Sequence, residues 1–182
     1  MFERSDDVLV KQALKGKKSA WLELLKRYEK PVYNYALRMV SNPDDALDLL
    51  QDIFIAVFRN LASFRGDSKF KSWLFRIAHY RCIEHYRRKK PHQSLDDEPE
   101  LTANEAHSCP EQSVKQSQQS EALTSAMQIL PVNQRTVVEL KFFQHFTFDE
   151  IAGQLGISSN TVKSRLYSAL DKLKGVLEVD YV

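Results

Sequence analysis

Residues 147–173 read TFDEIAGQLGISSNTVKSRLYSALDKL, and this stretch decides the architecture of the C-terminal third of the chain. Thr147 stands three residues before Glu150, the spacing of a capping box in which each side chain satisfies the other's backbone N–H at a helix start. Gly156 ends that first helix, because a residue without Cβ takes the left-handed conformation cheaply. Ile157 then plugs the corner and Ser158 caps a second helix. With Val162 at zero and ~100° per residue, Leu166, Ala169, Leu173 and Val176 fall within about 40° of it and form a buried stripe. Asn160, Lys163, Ser164, Tyr167 and Lys174 lie opposite, a hydrogen-bonding and cationic face. An ordinary amphipathic helix with a solvated face carries the same charges. The ordered caps, glycine and corner residue favour instead a helix-turn-helix whose second helix enters the major groove. Ser159, Asn160, Lys163 and Ser164 are placed for base edges, and Arg165, Lys172 and Lys174 for phosphates.

Upstream of this motif the composition changes. Residues 91–120 carry six acidic side chains, one basic one and three prolines, too little apolar surface to fold alone. We expect a flexible acidic linker over 93–119, joining a domain at 1–92 to one at 120–182. Both domains are expected to be small and helical, so the fold class is all-α. No apolar run approaches the ~20 residues that span a bilayer. The N-terminus MFERSDDVLV places acids where a secretory signal has basic residues. The expectation is a cytoplasmic chain with no membrane insertion. Cys82 and Cys109 have no metal-ligand spacing and are too few for a disulfide framework, so both are expected as reduced thiols.

The first domain reads as consecutive helices. Ser5, Asp6 and Asp7 start a short helix that Gly16 closes, and a second begins near Ser19. Pro31 lacks an amide donor and is expected to break or kink it. Asn42-Pro43-Asp44-Asp45 combines an N-cap, a proline at the first helical position and two first-turn acids. That helix is expected to reach about Leu61. After a loop at 63–68 containing Gly66, a long helix runs from Lys69 to about Arg88, and Pro91 stops it.

Net charge is only +2, but residues 59–90 hold ten basic and two acidic side chains. Phe64, Phe70, Trp73, Phe75, Tyr80 and Tyr86 are interleaved with them. Cations that follow phosphates and aromatic faces that accept unstacked bases are what single-stranded DNA requires. Phe64, Arg65, Lys69, Phe70, Lys71, Trp73, Arg76, Arg87 and Arg88 are the candidate contacts. Helical spacing makes Trp73, Phe75 and Tyr80 more naturally core residues than base platforms.

The helix after Pro43 has two faces. Leu47, Leu50, Phe54, Phe58 and Leu61 gather within about 60° and form the expected core side. Opposite, Asp48, Gln51, Asp52 and Arg59 surround an exposed Ile55, with Leu49 at the edge. An apolar centre in a polar rim has the character of a protein contact.

Three strings, AWLELLKRYEKPVYNYALRMV, NPDDALDLLQDIFIAVFRNLASFRGDSKFKSWLFRIA and the helix-turn-helix after a polar linker, together resemble the extracytoplasmic-function class of bacterial sigma factors. The resemblance implies that Asp48, Leu49, Gln51, Asp52, Ile55 and Arg59 bind the clamp helices of core RNA polymerase. It implies that the segment from Phe64 to Arg88 captures separated minus-ten promoter bases. The helix from Ser159, with Asn160, Lys163, Ser164, Arg165, Tyr167 and Lys174, would then read the minus-thirty-five element. The acidic linker would thread channels later used by RNA, and an anti-sigma factor is the expected regulator. The alternative is a free-standing helix-turn-helix regulator on a duplex operator, which leaves the first domain unexplained. No enzyme is expected: His79, His85, His92, His107 and His145 have no metal spacing, no phosphate-binding glycine loop occurs, and neither metal nor cofactor is called for.

Overall fold

A computed structural model describes residues 4–97 and 124–179. These residues form α1 (Asp6–Leu14), α2 (Lys18–Val40), α3 (Pro43–Asn60), a 3-10 turn (Leu61–Ser63), α4 (Phe70–Lys89), α5 (Val132–Val138), a π-helical turn (Glu139–Phe143), α6 (Phe148–Leu155) and α7 (Ser159–Val179), with a helical stretch at 124–128 before α5. No strand occurs among the described residues. The expected linker lies outside them from residue 98 to 119.

In the N-terminal half α2 is the hub, packed against α1, α3 and α4. It runs unbroken through Pro31, so of the expected break or kink the break does not occur. Tyr28, Val32, Tyr35 and Ala36 are buried on both sides of the proline. Packing along that face outweighs the one hydrogen bond a proline removes. Ser5 occupies the N-cap position of α1, but its hydroxyl makes no capping bond. Asn42 caps α3 as expected, accepting from the Asp45 N–H at 3.0 Å, with Pro43 behind it.

The core side of α3 is rotated from the one expected. Ala46, Leu49, Ile53, Ala56 and Val57 are buried. Of the residues expected inside, Leu61 is buried and half-buried Leu50 and Phe54 pack against the core, whereas Leu47 and Phe58 are 48% and 61% exposed. The small side chains Ala46 and Ala56 let α3 lie close to its neighbours. Trp21 of α2 covers the fringe, edge-on to Phe54 at 6.4 Å and Phe58 at 5.2 Å.

In the C-terminal half α7 packs against α5 and α6. The corner follows the expected chemistry bond by bond. Thr147 Oγ1 accepts from the Glu150 N–H and the Glu150 carboxylate accepts from the Thr147 N–H, at 3.2 and 2.8 Å. Gly156 takes φ +66, and Ser158 Oγ accepts from the Thr161 N–H at 3.0 Å. The bond from the Thr147 N–H holds the Glu150 carboxyl below its usual range.

The two halves meet along one seam. α2 packs against α5, and α4 against α6. At the end of α2 the carbonyl of Met39 accepts from Arg135 at 2.6 Å and that of Arg38 from Gln128 at 2.8 Å. The last carbonyls of any helix lack partners within it; here side chains of the other half supply them. The start of the expected linker is also held. Leu95 is half-buried, its carbonyl accepts from the Asn133 N–H at 3.1 Å, and Asp96 accepts from the Asn133 side chain.

Candidate nucleic-acid and protein interfaces

The helix-turn-helix presents the expected face. Val162, Leu166 and Ala169 are buried, while Asn160, Lys163, Ser164, Tyr167 and Lys174 are exposed, Tyr167 at 62%. The Val176 side chain falls outside the described residues. Two members of the set are partly committed elsewhere. The Ser159 hydroxyl donates to Asp149 on α6, and half-buried Arg165 lies near enough to His79 of α4 to act on its titration. Burial first and Arg165 second lower the His79 pKa to about 4. Lys163 stands 5.5 Å from the Phe148 ring, an exposed cation braced on an aromatic face.

On the basic strip the aromatics form a cluster. Phe64, Phe70 and Trp73 meet at 5.3 to 5.8 Å between ring centroids, and Tyr28 closes on Phe70 at 5.6 Å. Phe70 is 2% exposed, so it is core and the floor of the cluster, which corrects its expected role as a direct base contact. Phe64 and Trp73 are half-buried and keep an accessible edge. Arg65, Lys69, Arg76, Arg87 and Arg88 are exposed. Phe75 is fully buried, as expected, whereas Tyr80 is 56% exposed with the Arg76 guanidinium 5.9 Å from its ring. Tyr80 therefore joins the surface rather than the core. Lys71 is not free for DNA in this arrangement: it donates to the Gln144 carbonyl at 2.8 Å. Partial burial at that contact lowers its pKa, against a smaller opposing effect of Glu150.

The α3 face divides cleanly. Asp48, Gln51, Asp52 and Arg59 are exposed around Ile55, itself 48% exposed. Leu49 is 2% exposed and belongs to the core, so it cannot touch a partner. Phe58 and Leu47 take its place, extending the apolar centre along the helix. The sequence carries that signal, since both share a helical face with Gln51, although the expected core side places them inward.

The seam between halves was invisible to sequence reasoning. Glu139 is fully buried in the π-helical turn, and Arg38 reaches it from α2 with Nε and Nη2 at 2.6 and 2.8 Å from its two oxygens. Gln144 adds a third bond at 3.1 Å, and the Arg38 guanidinium lies 4.0 Å over the Phe143 ring. Burial raises the Glu139 pKa; Arg38 and Gln144 oppose that rise. Behind it, Cys82 is a buried free thiol whose pKa burial pushes far up, so it is a core residue with no reactive character; Cys109 lies outside the described residues. Among the described residues no group of three His, Cys, Asp or Glu side chains could hold a metal ion, and no helix is long and apolar enough to cross a membrane.

Comparison with known proteins extends over the same two halves. Residues 24–92 match the family model of Sigma-70 region 2, and residues 120–173 that of Sigma-70, region 4. The chain is 31% identical to the ECF RNA polymerase sigma factor SigW of Bacillus subtilis, over 91% of this chain and 92% of that one. It is 30% identical to ECF RNA polymerase sigma factor SigM of Mycobacterium tuberculosis, over 96% and 86%. Its fold is shared with CnrH, solved in complex with the cytosolic domain of CnrY, at a TM-score of 0.74 and 24% identity over 97% and 99% of the two chains. It is shared also with RpoE, solved with the anti-sigma factor NepR from Bartonella quintana, at 0.67 and 22% over 87% and 96%.

Proposed function

The chain belongs to the extracytoplasmic-function class of sigma-70 RNA polymerase sigma factors, and from that premise we propose how its surfaces divide the work of initiation. It is a transcription initiation factor that joins core RNA polymerase and directs it to promoters. Members of this family act as subunits of the polymerase, not as enzymes in their own right. The polymerase is a cytoplasmic machine, and the chain acts there.

Residues 1–92 form the polymerase-binding and minus-ten domain, 93–119 the acidic linker and 120–182 the minus-thirty-five domain. Asp48, Gln51, Asp52, Ile55 and Arg59 dock on polymerase, with Leu47 and Phe58 widening the apolar centre. Phe64, Arg65, Lys69, Trp73, Arg76, Arg87 and Arg88 hold the separated minus-ten strand over the Phe70 floor, exposed Tyr80 belongs with them, and Lys71 is engaged by the Gln144 carbonyl instead. Asn160, Lys163, Ser164 and Tyr167 read duplex bases, and Ser159, Arg165 and Lys174 orient the helix. The observation that carries this division is the α3 face: Ile55 half exposed inside a charged rim supports a protein contact that an operator-binding regulator does not need.

An anti-sigma factor is the regulator this reading expects, since the two solved structures compared above are complexes, one of them with a named anti-sigma factor. The test is transcription in vitro with purified core polymerase over a promoter library. Initiation above core alone is expected. A protein that initiates on no template yet shifts duplex DNA unaided is a regulator instead, and the proposal fails.

A further inference from the structure

Two lysines converge on one aromatic ring beside the recognition helix. The Lys141 ammonium stands 4.6 Å from the Phe148 ring centroid, and that of Lys163 stands 5.5 Å from it. Lys163 lies near the start of α7, whereas Lys141 belongs to the π-helical turn that precedes the helix-turn-helix. Neither Lys141 nor Phe148 is among the contacts expected from sequence.

Local geometry holds Lys141 in that place. His145 takes φ 60, a left-handed conformation that side chains disfavour, and the turn brings the Phe146 N–H to the Leu140 carbonyl. The Phe146 carbonyl then accepts from the Lys141 ammonium at 3.3 Å. A flexible stem is thus fixed at its tip by one carbonyl and one ring, so rotamer freedom that a lysine ordinarily loses on binding is already lost.

The charge gathered there is unbalanced. Among the described residues no carboxylate forms an ion pair with either lysine. The two acids that follow Phe148 in the chain face other partners: Asp149 accepts from the Ser159 hydroxyl, and Glu150 from the Thr147 N–H. Phe148 is half-buried against the core, which fixes its ring. The ring attracts each cation through its quadrupole, but the cations repel each other, and an anion between them completes the arrangement. Beside a helix that reads duplex bases, that anion is a backbone phosphate.

We propose that Phe148 is a positioning residue for promoter recognition: its ring holds Lys163 in the orientation that reads bases, and holds Lys141 as a phosphate contact supplied from outside the helix-turn-helix. The proposal rests on the minus-thirty-five assignment of α7. Lys141 sets the register of the protein on the backbone and carries no sequence information; Lys163, directed by the same ring, carries preference. An ammonium is a point charge on a mobile stem, so discrimination by it depends on the stem being directed.

The test uses the full chain bound to core polymerase, on promoters that the wild-type holoenzyme selects from the library. Each base of the minus-thirty-five element is substituted in turn, and binding is measured between about 50 and 200 mM salt. Lys141→Gln is expected to weaken every template by the same factor and to lower the salt slope by about one, with the base profile unchanged. Phe148→Leu keeps an apolar side chain on the core. It is expected to reduce discrimination about two- to fivefold at the positions that Lys163→Ala flattens, the worth of one cation–aromatic contact. Phe148→Tyr keeps the ring and is expected to show the wild-type profile. If Phe148→Leu does not fold, Phe148→Met replaces it, and Lys141→Gln tests the phosphate contact in either case. A wild-type salt slope in Lys141→Gln overturns that contact. A wild-type base profile in folded Phe148→Leu, or a flattened one in Phe148→Tyr, overturns the positioning role. If wild type itself distinguishes no base of that element, the minus-thirty-five assignment is at fault and the proposal falls with it.

Discussion

Leu49 and Ile55 stand six positions apart on α3, and one is 2% exposed, the other 48%. A single helix thus carries a residue for the fold and a residue for the partner, and substitution separates them. Leu49→Ala is expected to cost about 2–5 kcal/mol of stability by urea unfolding, the range for an emptied core site. Ile55→Lys with Asp52→Arg is expected to change stability by less than about 0.5 kcal/mol, as surface substitutions do. The double variant is expected to weaken binding to purified core polymerase about tenfold or more, as the loss of a central contact does. Undiminished binding by that folded variant removes the face from the proposal.

Arg135 closes the seam from the other side. Burial lowers its pKa to about 10, and it donates to four carbonyls, those of Met39, Met127, Gln128 and Leu130. Arg135→Ala leaves those acceptors without their donor and is expected to cost about 3 kcal/mol or more. Arg135→Lys is expected to recover only part of it, because an ammonium cannot reproduce the planar fork. Equal urea midpoints for wild type and Arg135→Lys would show that the fork is unimportant.

Lys163 and Lys174 are both exposed on α7 but differ in place. Lys163→Ala, near the start of the recognition helix, is expected to flatten base preference across a set of substituted promoters. Lys174→Ala is expected to weaken all of them evenly and lower the salt slope of binding by about one. A preference profile unchanged in Lys163→Ala takes that residue out of base readout.

His79 gives the fold a pH dependence of defined sign. Its folded pKa is about 4, below the ordinary 6.5, chiefly through burial. Between those values the unfolded chain binds a proton that the folded chain refuses. Its contribution is therefore fully present above pH 6.5 and declines as pH falls toward 4, by up to about 3 kcal/mol. Glu139, with a raised pKa, works in the opposite direction at the acid end. Comparing wild type with His79→Gln isolates the histidine: the stability gap between pH 7 and pH 5 is expected to shrink in the variant. An equal gap in both refutes the assignment.

What the sequence made legible was local. The corner from Thr147 to Ser158 is specified by side chains bonding to backbone three residues away, so reading it needs no knowledge of the rest of the molecule. The Asn42 cap is of the same kind. The phase of α3 was misread because two apolar stripes coexist on that helix, and only the position of α2 decides which is inside. Ala46 and Ala56 carried the clue, being small where helices approach closely. Pro31 does not break α2 for a related reason: the proline removes one hydrogen bond, while a whole buried face holds the helix together. The bond between Arg38 and Glu139 spans 101 positions, and no periodicity on either segment announces the other.

The closure of the α2 terminus by Arg135 and Gln128 has a consequence for how the molecule comes into being. A ribosome delivers Arg38 and Met39 long before it delivers Gln128 and Arg135, 90 and 96 positions later. During synthesis the first half must therefore wait with its longest helix open at one end, its carbonyls held by water. The nascent protein is in that interval already parted from its own second half, and it acquires the closed form only as translation finishes.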